Sequence, residues 1–171
     1  MDAAALPIGL GAVALVALVV LVDGLLRRRR LARTLERAWL EVPRDPETGL
    51  FDRRVCLQRV AAELKRARRS DGSVWVGVVT VVDGDPDRFG RLLHDGMRLP
   101  EVGFRIGERV MCIARPDLDE HQRAELLGRI AAAGPRERLA VGEAMWRSTA
   151  DGDASDVLRR ASGAMTEVPA P

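Results

Sequence analysis

The chain has 171 residues, 47% hydrophobic and 30% charged, with 27 Lys+Arg against 25 Asp+Glu, a length for one ordinary domain with an appendage. Residues 45–171 carry 20 basic and 21 acidic side chains, so no net basic excess favours a nucleic-acid partner. Two isolated cysteines and two isolated histidines exclude a zinc cluster, a disulfide framework and a thioredoxin-like centre.

Residues 3–22 form a run of 20 positions with 17 Ala, Val, Ile or Leu, broken only by Pro7, Gly9 and Gly11. As a helix that run is about 30 Å long, the thickness of a bilayer's hydrocarbon. A membrane span tolerates Pro and Gly where a helix in water does not. Only Met1 and Asp2 precede the run, whereas Arg27, Arg28, Arg29 and Arg30 follow it. A cleaved signal peptide wants its positive charge first. The order here predicts an uncleaved transmembrane helix over 3–26, in the cell membrane, with the C-terminal domain cytoplasmic.

Residues 27–44 carry seven Arg against Glu36 and Glu41, which predicts a basic juxtamembrane helix beside anionic headgroups. Leu31, Leu35, Ala38 and Val42 recur at 4-3-4 spacing. That is either a short self-association seam or the apolar side of a stalk. Pro43 and Pro46 end it.

The rest reads as alternating helices and strands. Residues 51–69 place Phe51, Val55, Leu57, Val60, Ala61, Leu64 and Ala67 on one face of a helix, with an Arg-rich face opposite. Residues 74–82 are nearly all Val, a strand covered on both sides. Asp83, Asp85 and Asp87 then form either a weak metal-binding run or a turn, with Asp87 capping the next helix. Residues 102–106 and 109–114 suit two strands joined at Gly107-Glu108 by a two-residue II′ turn. A helix over 117–133 turns Leu118, Leu126, Leu127 and Ile130 inward. Residues 138–146 predict a third strand region. Residues 155–165 predict a final helix through Val157, Leu158, Ala161 and Met165. Cys56 and Cys112 read as small buried hydrophobes. The alternation predicts an α+β domain, a sheet with helices packed on it.

In this order the pieces resemble the GGDEF, or diguanylate cyclase, domain. Asp45-Pro46-Glu47-Thr48-Gly49-Leu50-Phe51-Asp52-Arg53-Arg54 is similar to its D-x-L-T-G-L-x-N-R-R opening. The Val-rich strand with Asp83, Asp85 and Phe89 is similar to its D-x-D-x-F. Arg105-Ile106-Gly107-Glu108-Arg109-Val110-Met111 stands where the family writes R-x-G-G-D-E-F. Leu139 to Gly142 resembles its S-I-G-V strand, and Asp156 to Ala161 its L-L-x-x-A-D helix. The resemblance covers nearly all of residues 45–165, sets the domain at 45–168, and implies a nucleotide-cyclase-like sheet, shortened between Phe89 and Arg105.

An active member of that family binds GTP at a glycine-tight hairpin. It holds two metal ions on acids from the first strand's end and from the signature's third position, a phosphoryl-transfer arrangement. Here Glu108 replaces the second glycine, Arg109 the metal-binding acid, Val110 the next acid and Met111 the phenylalanine. A guanidinium has no lone pair to offer Mg²⁺. The resemblance therefore implies a degenerate domain without cyclase activity or cofactor. Asp83 and Asp85 would be vestigial metal ligands, and Arg109 would project toward them as a substitute cation. Product-inhibited members carry R-x-x-D before the signature, and Arg98 to Glu101 stand in that place, either as a phosphate-binding fork or as a solvated loop pair. The expected function is a membrane-anchored regulatory or interaction module whose partners are the bilayer and a second copy or a cytoplasmic protein. The alternative is a cyclic di-GMP or nucleotide sensor at Arg98 and Glu101.

Overall fold

The computed structural model describes residues 42–149 and 152–168. The expected transmembrane helix and nearly all of the juxtamembrane helix lie outside them. No helix among the described residues is long and apolar enough to cross a membrane.

The unit that begins at Pro43 runs β1 (Phe51–Asp52), α1 (Arg53–Ser70), β2 (Ser73–Asp83), α2 (Pro86–Gly96), β3 (Val102–Arg105), β4 (Val110–Pro116), α3 (Glu120–Ala133), β5 (Arg138–Arg147), α4 (Ala154–Gly163) and β6 (Thr166–Val168). The strands form one six-stranded sheet in the order β1-β3-β4-β2-β5-β6. β1 pairs parallel with β3, and every other neighbouring pair is antiparallel.

β2 is the centre because its Val run suits neither face to water. Trp75, Val79 and Val81 point to one side and join Met111, Ile113, Leu139 and Val141 with Phe89 and Leu93 of α2 and Leu126 and Ile130 of α3. Val74, Val76 and Val78 alternate to the other side, where α1 and α4 pack. Both faces are covered, as the continuous β-branched run requires.

Helix starts follow local chemistry. Asp52 caps α1, Asp85 caps α2 with Pro86 in its first turn, and Asp119 and Asp153 close capping boxes on α3 and α4. At Gly142 the chain needs the missing side chain: a Cβ would lie 2.0 Å from the backbone oxygen of Ala161. α4 therefore sits directly on β5.

Several sequence expectations change. Phe51 and Asp52 are a short edge strand rather than the first helical turn, because they find the backbone of Phe104 and Arg105 beside them. In α1 the buried residues are Cys56, Val60, Glu63, Leu64 and Ala67, while Leu57 and Ala61 face outward. The helix is rotated toward Glu63, whose carboxylate is neutralised by Arg59 at 2.9 Å and Arg66 at 3.3 Å. The β3–β4 connection is a four-residue loop, residues 106–109, with Ile106 N–H and Gly107 N–H both donating to the Val110 carbonyl. Gly107 is not left-handed, so the II′ turn is not formed. The last helix ends at Gly163, and β6, unexpected from the sequence, follows. Cys56 and Cys112 are free and buried, and the neighbouring Cys56 thiol together with burial pushes the Cys112 thiol well up.

Candidate functional site

Because β2 and β4 are antiparallel, with Thr80 opposite Val110, the C-terminal end of β2 and the β3–β4 loop lie side by side. Three segments meet there: the 45–50 loop, the 83–87 turn and the 106–109 loop.

The 45–50 loop is built around Asp45. Its carboxylate accepts Thr48 N–H at 2.9 Å, Thr48 Oγ1 at 2.7 Å and an Arg105 nitrogen at 3.0 Å. Gly49 takes φ +75°, which an L side chain resists, and closes the loop by donating to the Asp45 carbonyl. Burial raises the Asp45 pKa, but the hydrogen bonds from Thr48 and Arg105 together outweigh it and the group sits below its ordinary value. Arg105 also pairs with Asp87 at 2.6 Å and donates to the Glu108 carbonyl at 3.0 Å. One guanidinium thus ties all three segments together.

Arg109 reaches the strand end, but not its carboxylates. Its Nε donates to the Val81 carbonyl at 2.7 Å, and a terminal nitrogen donates to the Gly84 carbonyl at 3.0 Å. The expected contact with Asp83 or Asp85 gives way to main-chain oxygens, because both aspartates are occupied locally. Asp83 accepts Gly84 N–H at 3.0 Å. Asp85 accepts the N–H groups of Asp87 and Arg88 at 2.9 and 3.0 Å as the helix cap. The Arg88 backbone N–H leads the causes that lower the Asp85 pKa. The cap is therefore Asp85 and not Asp87, which is spent on Arg105. Beside this turn, buried Glu137 pairs with Arg88 at 3.0 Å.

The residues expected to form a degenerate signature, 107–111, point in different directions. Glu108 is exposed, Gly107 and Val110 are half-buried, and Met111 lies in the core. A cleft of about 170 Å³ between Asp45, Asp52, Arg53, Arg105, Gly107 and Glu108 is the space left at this end. These residues do not fit a two-metal centre. Among the described residues no group of three or more His, Cys, Asp or Glu is placed to hold a metal, and a cation already sits on the carbonyls.

Arg98 and Glu101 do not form a side-chain fork. The Arg98 side chain is exposed and pairs with Glu125. Glu101 is buried and receives Arg115 at 2.8 Å, two nitrogens of Arg129 and the Arg98 backbone N–H at 2.9 Å. Burial opposes its charge, yet Arg129 and the other donors hold its pKa below the ordinary value. Nothing in the sequence marked Arg115, Arg129 or Glu137 for these roles. The D-x-x-T-G pattern at Asp45 did mark the loop that Arg105 holds.

No protein-family model and no curated protein matches the chain. Solved structures do. The diguanylate cyclase SiaD from Pseudomonas aeruginosa, crystallised with its activator SiaC, aligns with a TM-score of 0.68 and 21% identity, over 88% of this chain and 67% of that one. The coiled coil and GGDEF domain of DgcB from Caulobacter crescentus, in complex with c-di-GMP, aligns at 0.64 and 15%, over 85% of this chain and 90% of its own. The FimX GGDEF domain from Pseudomonas aeruginosa aligns at 0.61 and 18%, over 71% and 90%. The chain carries an α+β domain of the GGDEF-like fold.

Proposed function

We propose that this protein is a membrane-anchored GGDEF-like module without cyclase activity, acting through contacts with a cytoplasmic protein or a second copy. The observation that carries this reading is Arg109 on the Val81 and Gly84 carbonyls. The position that would supply a metal-binding acid supplies a cation instead, hydrogen-bonded to the strand end. Phosphoryl transfer depends on metal charge to neutralise and align the phosphates, and a guanidinium fixed by two main-chain bonds aligns nothing outside the domain. SiaD, a diguanylate cyclase crystallised in complex with its activator SiaC, gives a precedent for a structurally similar protein that has a protein partner. The anchor rests on the apolar run at 3–22 and the arginines after it.

The second reading, a cyclic di-GMP sensor, draws on the DgcB complex. Against it, both Glu101 oxygens already accept internal arginines.

The test uses the full chain in lipid nanodiscs, incubated with GTP and Mg²⁺, with nucleotides separated by chromatography. The expected result is no cyclic di-GMP above a protein-free blank. Turnover by the unmodified chain overturns the inactive reading.

A further inference from the structure

The near-zero net charge of residues 45–171 conceals a segregation. Helix α1 alone carries seven basic residues against Glu63, while the remainder of 45–171 carries 13 basic against 20 acidic. Glu63 is turned inward. The outward arc of α1 therefore holds no carboxylate of its own, and Arg53, Arg54, Lys65, Arg66, Arg68 and Arg69 are all exposed. Arg53, Lys65 and Arg69 pair with no carboxylate among the described residues. Arg68 lies 5.6 Å over the Trp146 ring, at a groove of about 510 Å³ that Lys65 and Arg69 also line. Leu57, half exposed, stands among these charges.

We propose that this arc of α1 is a lipid-headgroup surface, docking the domain on the anionic face of a bilayer. Charge complementarity and the chain's own layout both favour this occupant. The helix is 18 residues, about 27 Å of positive stripe. A second basic segment, residues 27–44 with its seven Arg, precedes it and adjoins the 20-residue apolar run. Thirty residues separate Val22 from Arg53, so a run held in the bilayer keeps α1 within reach of the same leaflet. That tether raises the effective concentration of headgroups at the helix. Exposed Leu57 supplies an apolar side chain for the interface, and arginine pairs with phosphate through a planar fork. A duplex nucleic acid would also meet positive charge here, but it offers nothing to Leu57 and no reason for the adjoining apolar run. This proposal takes its membrane from the anchor reading above, and the experiment separates the two.

Cys56 and Cys112 are buried, so a Gln58→Cys substitution on the exposed arc accepts an environment-sensitive fluorophore selectively. The labelled full chain is placed in nanodiscs of phosphatidylcholine alone or with about one-third phosphatidylglycerol. Incorporation reports on the anchor, and the label reports on the face. The expected result is blue-shifted emission and reduced iodide quenching only in the anionic discs, reversed by high salt. Lys65→Gln with Arg69→Gln weakens the docked state about 25-fold, from about fivefold for each charge. A label indifferent to lipid charge overturns the proposal. So does a label that ignores anionic lipid but responds to a DNA duplex added to neutral discs. If the chain does not enter discs, the anchor fails, and co-sedimentation with vesicles of the same two compositions decides the face. Pelleting with anionic vesicles alone supports it, and pelleting with neither overturns it.

Discussion

Arg109 Nε donates to the Val81 carbonyl oxygen at 2.7 Å, and Val81 N–H donates back to the Arg109 carbonyl at 2.9 Å. The 106–109 loop is therefore fastened to the central strand by both main chain and side chain of one residue. Because the guanidinium meets neutral carbonyls, its contribution is a pair of charge-assisted hydrogen bonds rather than an ion pair.

Arg109→Ala leaves the Val81 and Gly84 carbonyls without this donor. The expected loss is about 2 kcal/mol, a fall in Tm of several degrees, and the loss changes little between low and high salt. Arg109→Asp places a carboxylate against two carbonyl oxygens and lowers Tm further without producing cyclic di-GMP. Thermal melts of the full chain at two salt concentrations check this. A strongly salt-dependent loss would mean that carboxylates, not carbonyls, are the partners.

Glu101 gives the domain an acid sensitivity. Its folded-state pKa lies below its ordinary value because the Arg129, Arg115 and Arg98 contacts outweigh burial. Its contribution is fully present above the unfolded value and is lost as pH falls through the folded one. Denaturant midpoints measured downward from neutral pH decline in the parent on crossing the carboxylate range. Glu101→Gln is less stable at neutral pH by about 3 kcal/mol, since it leaves two partly buried guanidinium groups without their carboxylate, and it shows a flatter acid decline. Equal slopes for parent and variant would contradict this assignment.

The Val-rich strand, the hairpin strands and the last two helices were legible in the sequence because burial on both faces, or on one face of a helix, dictates residue type at every position. The orientation of α1 was not, since Glu63 reads as polar until Arg59 and Arg66 neutralise it. The partners of Arg109 were not legible either. The sequence shows aspartates nearby, but it does not show that Asp85 is consumed by a helix cap or Asp87 by Arg105. Glu101 and Arg129 lie 28 residues apart, and no local pattern links such a pair. Segregated charge escaped the composition because a sum discards position: the Arg-rich face of α1 and the acidic remainder cancel.

Gly142→Ala tests the α4–β5 contact. A Cβ at 2.0 Å from the Ala161 oxygen forces the helix off the sheet, at a cost of about 3 kcal/mol. Gly128→Ala, in open space on α3, is expected to be neutral or slightly stabilising through helix propensity. Urea denaturation of both variants checks the contrast, and similar midpoints would mean that α4 yields easily.

The topology proposed from Arg27 to Arg30 predicts that protease added outside sealed spheroplasts leaves residues 45–168 intact, and that permeabilisation exposes them. Digestion from outside would place the domain on the other side of the membrane.

The most direct measurement is Mn²⁺ binding by electron paramagnetic resonance, with Mn²⁺ standing in for Mg²⁺. The unmodified full chain is titrated with Mn²⁺ at matched GTP concentrations, with a GTP-only control. With Arg109 on the strand-end carbonyls, the free Mn²⁺ signal is expected to follow the GTP control at every protein concentration. Stoichiometric uptake by the protein that disappears in Asp83→Asn would contradict the account, because it would show a metal held on the strand-end carboxylate beside the Arg109 guanidinium.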